Sequence, residues 1–110
     1  MNNNLADEQL DIIWNKAKIT DRNPNIWRKD VADAWICKDC YGATDSVTGY
    51  GWEADHCEPV SKGGKTELAN LRPLHWANNR SKSDNFPLWS SEVTSDGEYN
   101  VQRIQHWRES

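Results

Sequence analysis

Asp55 and His56 stand side by side, Asn70 follows fourteen residues after His56, and Asn79 nine residues after that. An acid beside an imidazole, two carboxamides, the Gly63-Gly64 pair and several Lys and Arg all fall between Trp52 and Asp84. Metal-assisted hydrolysis of a phosphodiester needs this set of groups, and little other chemistry would use all of them in so short a segment. The charge pattern agrees. The net charge of the 110 residues is -4, yet residues 61–82 hold 5 basic groups and 1 acidic. The flanks are acidic, with 6 basic and 11 acidic groups in residues 1–60 and 2 and 5 in residues 83–110. The one basic block coincides with the Asp-His-Asn-Asn segment, which suits a polyanion backbone.

Short elements must bring these groups together. Trp52–Cys57 alternates apolar and polar residues and predicts a strand. Residues 58–67 contain Pro59, Gly63 and Gly64 and predict a loop. Leu71–His75 predicts a second strand and Trp76–Ser83 the helix that follows, with Pro87 marking its exit. In that order Asp55-His56 at the end of the first strand and Asn79 on the helix converge on one cleft. Alternation sends Asp55 and His56 to opposite faces, so both reach one site only if the pleat ends or bulges there.

Outside this segment, Leu10, Ile13, Trp14 and Ala17 recur at helical spacing and predict an amphipathic helix over residues 5–18. Asn4 would cap it, and Lys16 and Lys18 would favour its C-terminus. A short helix or turn is expected over residues 26–33, a strand over Ala34–Cys37 and a loop or hairpin connection over Gly42–Gly51. Asp96-Gly97, between Leu88–Val93 and Tyr99–Ile104, signals a small C-terminal hairpin or irregular arm. The fold class is α+β. Residues 1–110 form one domain, with a core motif at 50–84, an N-terminal helical extension at 5–33 and a C-terminal arm at 85–110. Hydrophobic content is 36% and mean hydropathy -0.94, so seven evenly spread tryptophans are expected to supply much of the core.

Asp55-His56, Pro59, Gly63-Gly64, Asn70-Leu71 and Asn79-Arg80 with Lys82, in this order and spacing, resemble the HNH endonuclease family, whose fold is the ββα-metal motif. The phrases WEADH, PVSKGG, NLRPLHW and NNRSKSD are similar to the small stand-alone HNH proteins of bacteria and their phages. The resemblance implies a DNA endonuclease leaving 5′-phosphate and 3′-hydroxyl ends. It makes His56 the general base that takes a proton from the attacking water. Asp55 and Asn79 become the metal ligands, with Asn78 a rival to Asn79 one residue away. Many family members carry histidine where this chain has Asn79. An oxygen-only pair implies Mg²⁺ or Mn²⁺. Asn70 would tie the loop and orient the base. Arg80, Lys82, Lys62 and Lys65 would contact phosphate oxygens.

Some HNH proteins clamp a structural zinc with two CxxC pairs. Here only Cys37 and Cys40 form such a pair, and the later positions are His75 and Asn78. A zinc site of Cys37, Cys40 and His75 would need a fourth ligand, such as Cys57, and ordinary thiols are the preferred reading. An odd number of cysteines, three in all, fits a reducing, cytoplasmic setting. There is no signal-like N-terminus and no apolar stretch of transmembrane length. DNA is the expected partner, with RNA open and no membrane involved, and a monomer is the simplest state. Two other functions fit the same residues: a non-catalytic nucleic-acid-binding or accessory protein that keeps the fold as a scaffold, and a small zinc-stabilised interaction protein.

Overall fold

The computed structural model describes residues 5–109. Its elements are α1 (Asp7–Trp14), β1 (Trp27–Lys29), β2 (Trp35–Cys37), β3 (Trp52–His56), β4 (Leu71–His75), α2 (Trp76–Lys82), β5 (Leu88–Asp96) and β6 (Tyr99–Arg108). Among the described residues this is a small α+β domain of two helices and three two-stranded antiparallel sheets, β1-β2, β3-β4 and β5-β6. The strands and helix of the middle segment form where alternation and punctuation put them. β3 and β4 pair in full register from Trp52 opposite His75 to His56 opposite Leu71. α2 follows β4 without a linker, with His75 as its N-cap: the ring Nδ1 accepts from the Ala77 N–H at 3.1 Å.

The core sits between α1 and the β3-β4 hairpin. Ile13, Trp14, Ile36, Trp52, Ala54 and Leu71 are buried together, and the Trp14 and Trp52 rings lie 5.6 Å apart. Four of the tryptophans, Trp14, Trp35, Trp52 and Trp89, are buried. A second, polar knot joins the hairpins. Asp30 Oδ1 accepts from the Ala32 and Ala34 N–H groups, and Oδ2 from the His75 N–H and Asn78 Nδ2. Asn78 in turn accepts from the Glu92 and Val93 N–H groups and donates to the Val93 carbonyl. Loop, helix and C-terminal hairpin are thus fastened by two buried side chains whose polar atoms are matched. Burial pushes the Asp30 carboxyl up, against the pull of its four N–H donors.

Three expectations for the flanks need correction. The N-terminal helix ends at Trp14, not near residue 18; Lys16 lies beyond it and donates to the Leu68 and Leu71 carbonyls, tying the chain to the hairpin. The expected cap Asn4 lies outside the described residues; the N-cap is Ala6, whose N–H donates to the Gln9 side chain at 2.9 Å. Residues 26–33 are strand and turn rather than helix, so the extension is helical only over α1. Trp27-Arg28-Lys29 pairs with Trp35-Ile36-Cys37, and Asp33 takes the positive φ of 65° that closes the turn. The C-terminal segment is a long ribbon with strands of 9 and 10 residues and an irregularity between Ser91 and Val93, longer than a short hairpin or arm. Cross-strand pairing such as Trp89 with Trp107, and the anchor at Asn78, extend the pairing beyond what the turn signal alone implied.

Candidate active site

β3 stops at His56, and the chain turns there into the loop that carries the glycines. At that end a cavity of about 770 Å³ opens, and Glu53, Asp55, His56, Asn79 and Arg80 are among the residues that line it. Asp55 and His56, of opposite alternation, thus border the same space at the end of the strand. Asn79 reaches it from the middle of α2. Tyr41, edge-on to Trp52 at 4.9 Å, forms part of the wall.

Asp55 is 3% exposed and holds two cations. Its Oδ2 accepts from Arg72 Nε at 2.9 Å and its Oδ1 from Lys82 Nζ at 3.1 Å. Arg72 also pairs with Glu109, and although burial alone would lower its pKa, Glu109 and Asp55 hold it above the usual guanidinium value. Each carboxylate oxygen keeps a second acceptor position beyond the one used. Asn79 Nδ2 donates to Glu53 Oε1 at 3.1 Å, and among the described residues no hydrogen bond occupies its Oδ1. Asp55 and Asn79 both line the cavity and both carry oxygen donors, the kind of group that could hold a hard cation. Asn78, the rival ligand, is fully buried and spent on Asp30 and β5.

His56 Nε2 lies 2.9 Å from Thr66 Oγ1. Among the described residues no hydrogen bond joins the Asn70 side chain to the imidazole. Its Oδ1 accepts from the Glu58 N–H and its Nδ2 donates to the Glu58 and Lys65 carbonyls, all at 2.9 Å, so it braces the loop from within. The glycines make that brace possible. Gly63 has φ 99°, and a Cβ on Gly64 would sit 1.8 Å from the Glu58 carbonyl oxygen.

The four basic residues expected to meet phosphate separate into different environments. Lys82 is corrected: it is 0% exposed, and its ammonium is used on Asp55, the His56 carbonyl at 2.9 Å and the Cys57 carbonyl at 3.2 Å. A side chain with its charge neutralised inside the fold has no donor left for DNA. Arg80 is 61% exposed on the cavity wall, paired with Glu53 Oε2 at 3.2 Å and lying over the Trp76 ring. Lys62 and Lys65 are exposed on the glycine loop and do not themselves line the cavity.

The structure does not gather Cys37, Cys40 and His75 into a metal site; no group of three His, Cys, Asp or Glu that could hold an ion occurs among the described residues. Both ring nitrogens of His75 are taken, Nδ1 by Ala77 and Nε2 by the Gly49 carbonyl at 2.9 Å, and burial lowers its pKa. Burial and the neighbouring Cys37 push the Cys40 thiol up to about 12. All three cysteines are free. No described helix is long and apolar enough to cross a membrane.

The sequence pattern singles out neither Glu53 on the cavity wall nor Thr66 beside the His56 ring. Glu53 lies two residues before Asp55 and so on the same face of β3, a signal that alternation did contain. Thr66 sits in an aperiodic loop, where no pattern marks it.

Residues 37–85 match the family model described as HNH endonuclease. This segment is an HNH endonuclease-family domain. The match begins at Cys37, upstream of the 50–84 core, and takes in the CxxC turn, both strands of the β3-β4 hairpin and α2. Nuclease-type chemistry on nucleic acid is what an HNH domain points to. No curated protein and no solved structure matches the chain.

Proposed function

We propose that this protein is a metal-dependent DNA endonuclease hydrolysing phosphodiester bonds, with β3, β4 and α2 as its ββα-metal motif and residues 1–110 as one HNH nuclease domain. The observation that carries this reading is the shared cavity: Asp55, His56 and Asn79, from two elements, line one space with Arg80 on the same wall. His56 is the general base. In the tautomer that donates Nε2–H to Thr66 Oγ1, Nδ1 is the nitrogen left to take a proton from water. Asp55 and Asn79 would hold a divalent metal, Mg²⁺ or Mn²⁺, which would supply charge stabilisation at the phosphate and the leaving 3′-oxygen. Asn70 keeps the loop in the shape that presents His56 and Thr66 to each other. Arg80 exchanges Glu53 for a phosphate oxygen when DNA binds, and Lys62 and Lys65 add weaker contacts from the loop. A cytoplasmic setting belongs to the same reading and rests on the three free thiols.

The test is nicking of supercoiled plasmid. Mg²⁺ or Mn²⁺ should support it and EDTA should abolish it. A second reading, the HNH fold retained as a nucleic-acid-binding scaffold, is favoured by one observation: both oxygens of Asp55 already face cations. It predicts DNA binding without cleavage in any divalent metal.

A further inference from the structure

Glu53 lines the cavity as neither the general base nor a ligand in the reading above, and its two oxygens are divided between two residues that have a role there. Oε1 accepts from Asn79 Nδ2 at 3.1 Å and Oε2 from Arg80 at 3.2 Å. The amide of asparagine is nearly symmetric in shape, and only its hydrogen bonds decide which end faces a cavity. A carboxylate can accept but not donate, so Glu53 tolerates only the NH₂ end of Asn79. The carbonyl end is thereby turned to the other side. Glu53 is also set apart from the other nearby carboxylate: the charge of Asp55 is countered by Arg72 and Lys82 inside the protein, whereas among the described residues Glu53 forms an ion pair with the exposed Arg80 alone.

We infer that Glu53 is a positioning residue for metal capture: it fixes the Asn79 amide with Oδ1 presented as a ligand and holds Arg80 in reserve until phosphate arrives. The inference rests on the proposed metal-dependent reading, and it acts through Asn79 rather than by direct coordination. Its pattern is that of a partner which orients a ligand through a hydrogen bond, where loss costs about 10–100-fold in metal affinity.

The experiment is a calorimetric titration of Mn²⁺ into the full chain, without DNA, for the parent protein, Glu53→Ala, Glu53→Gln and Asn79→Ala, each checked for an unchanged circular dichroism spectrum. Glutamine keeps an oxygen that accepts from Asn79, so Glu53→Gln should bind Mn²⁺ within about threefold of the parent while Glu53→Ala loses about tenfold or more. A fluorescence titration with a short duplex should show Glu53→Gln binding DNA more tightly than the parent, because Arg80 loses its counter-charge. Parent-like Mn²⁺ affinity in Glu53→Ala overturns the positioning role and leaves the nuclease reading standing. Equal losses in the Gln and Ala variants overturn it in favour of Glu53 as a direct ligand. No Mn²⁺ binding by the parent protein overturns both the inference and the metal-dependent reading beneath it.

Discussion

Replacing Lys82 by methionine separates an internal counter-ion from a DNA contact. The ammonium is buried among three oxygens, one from Asp55 and two carbonyls at the end of β3. Methionine fills similar space but leaves the Asp55 charge with Arg72 alone and strands two carbonyls. Breaking a buried pair by removing one partner costs about 3–5 kcal/mol; since Arg72 remains, about 3 kcal/mol is expected. A domain of this length holds roughly 5–15 kcal/mol in total, so the variant folds but melts early. With an unfolding entropy of roughly 2.1 cal/mol/K per residue, the Tm falls by about 13 °C. Circular dichroism melting measures it. The duplex affinity of the folded variant, titrated against salt, should keep the parent slope. A Tm within about 3 °C of the parent, together with a shallower salt slope, would refute the placement of Lys82 as an internal charge.

Arg80→Ala should do the opposite: little change in Tm, because an exposed pair contributes at most about 1 kcal/mol, and a salt slope for DNA binding reduced by about one. Thr66→Val removes the partner of His56 Nε2 and should lower the nicking rate about 5–10-fold, the worth of one hydrogen bond, with Thr66→Ser restoring it; equal rates in both variants would remove Thr66 from the account. For His75, burial lowers the folded value below 6.5. Its contribution to stability is therefore complete above pH 6.5 and is lost as pH falls through the folded value. NMR titration of the three histidine rings should show one, assignable to His75 by His75→Asn, whose midpoint lies below 6.5; a midpoint at or above 6.5 would contradict its buried, doubly bonded placement.

The middle of the chain was legible because local signals and the fold agree there. Alternation ends where β3 ends, Leu71–His75 is the fourth strand to the residue, and the glycines mark the loop that Asn70 braces. The flanks were less legible because tertiary contacts decide them. Trp27-Arg28-Lys29 has no strand signature of its own and becomes one by pairing with β2. The first helix stops at Trp14, and Lys16 just beyond it donates to carbonyls more than fifty residues away. At the site, residue type gave the chemistry but not the environment. Lys82 looks like any surface lysine in a basic block, and only the packing of α2 on β3 shows that it neutralises Asp55 from inside.

In the proposed mechanism His56 activates water in the cavity it shares with Asp55 and Asn79. The most direct measurement is the plasmid nicking rate of His56→Ala beside the parent protein at saturating Mn²⁺, with both shown to melt at the same temperature. The rate should fall by about 10²–10⁴-fold, the usual worth of a positioned general base. A His56→Ala variant that nicks at the parent rate would contradict that mechanism.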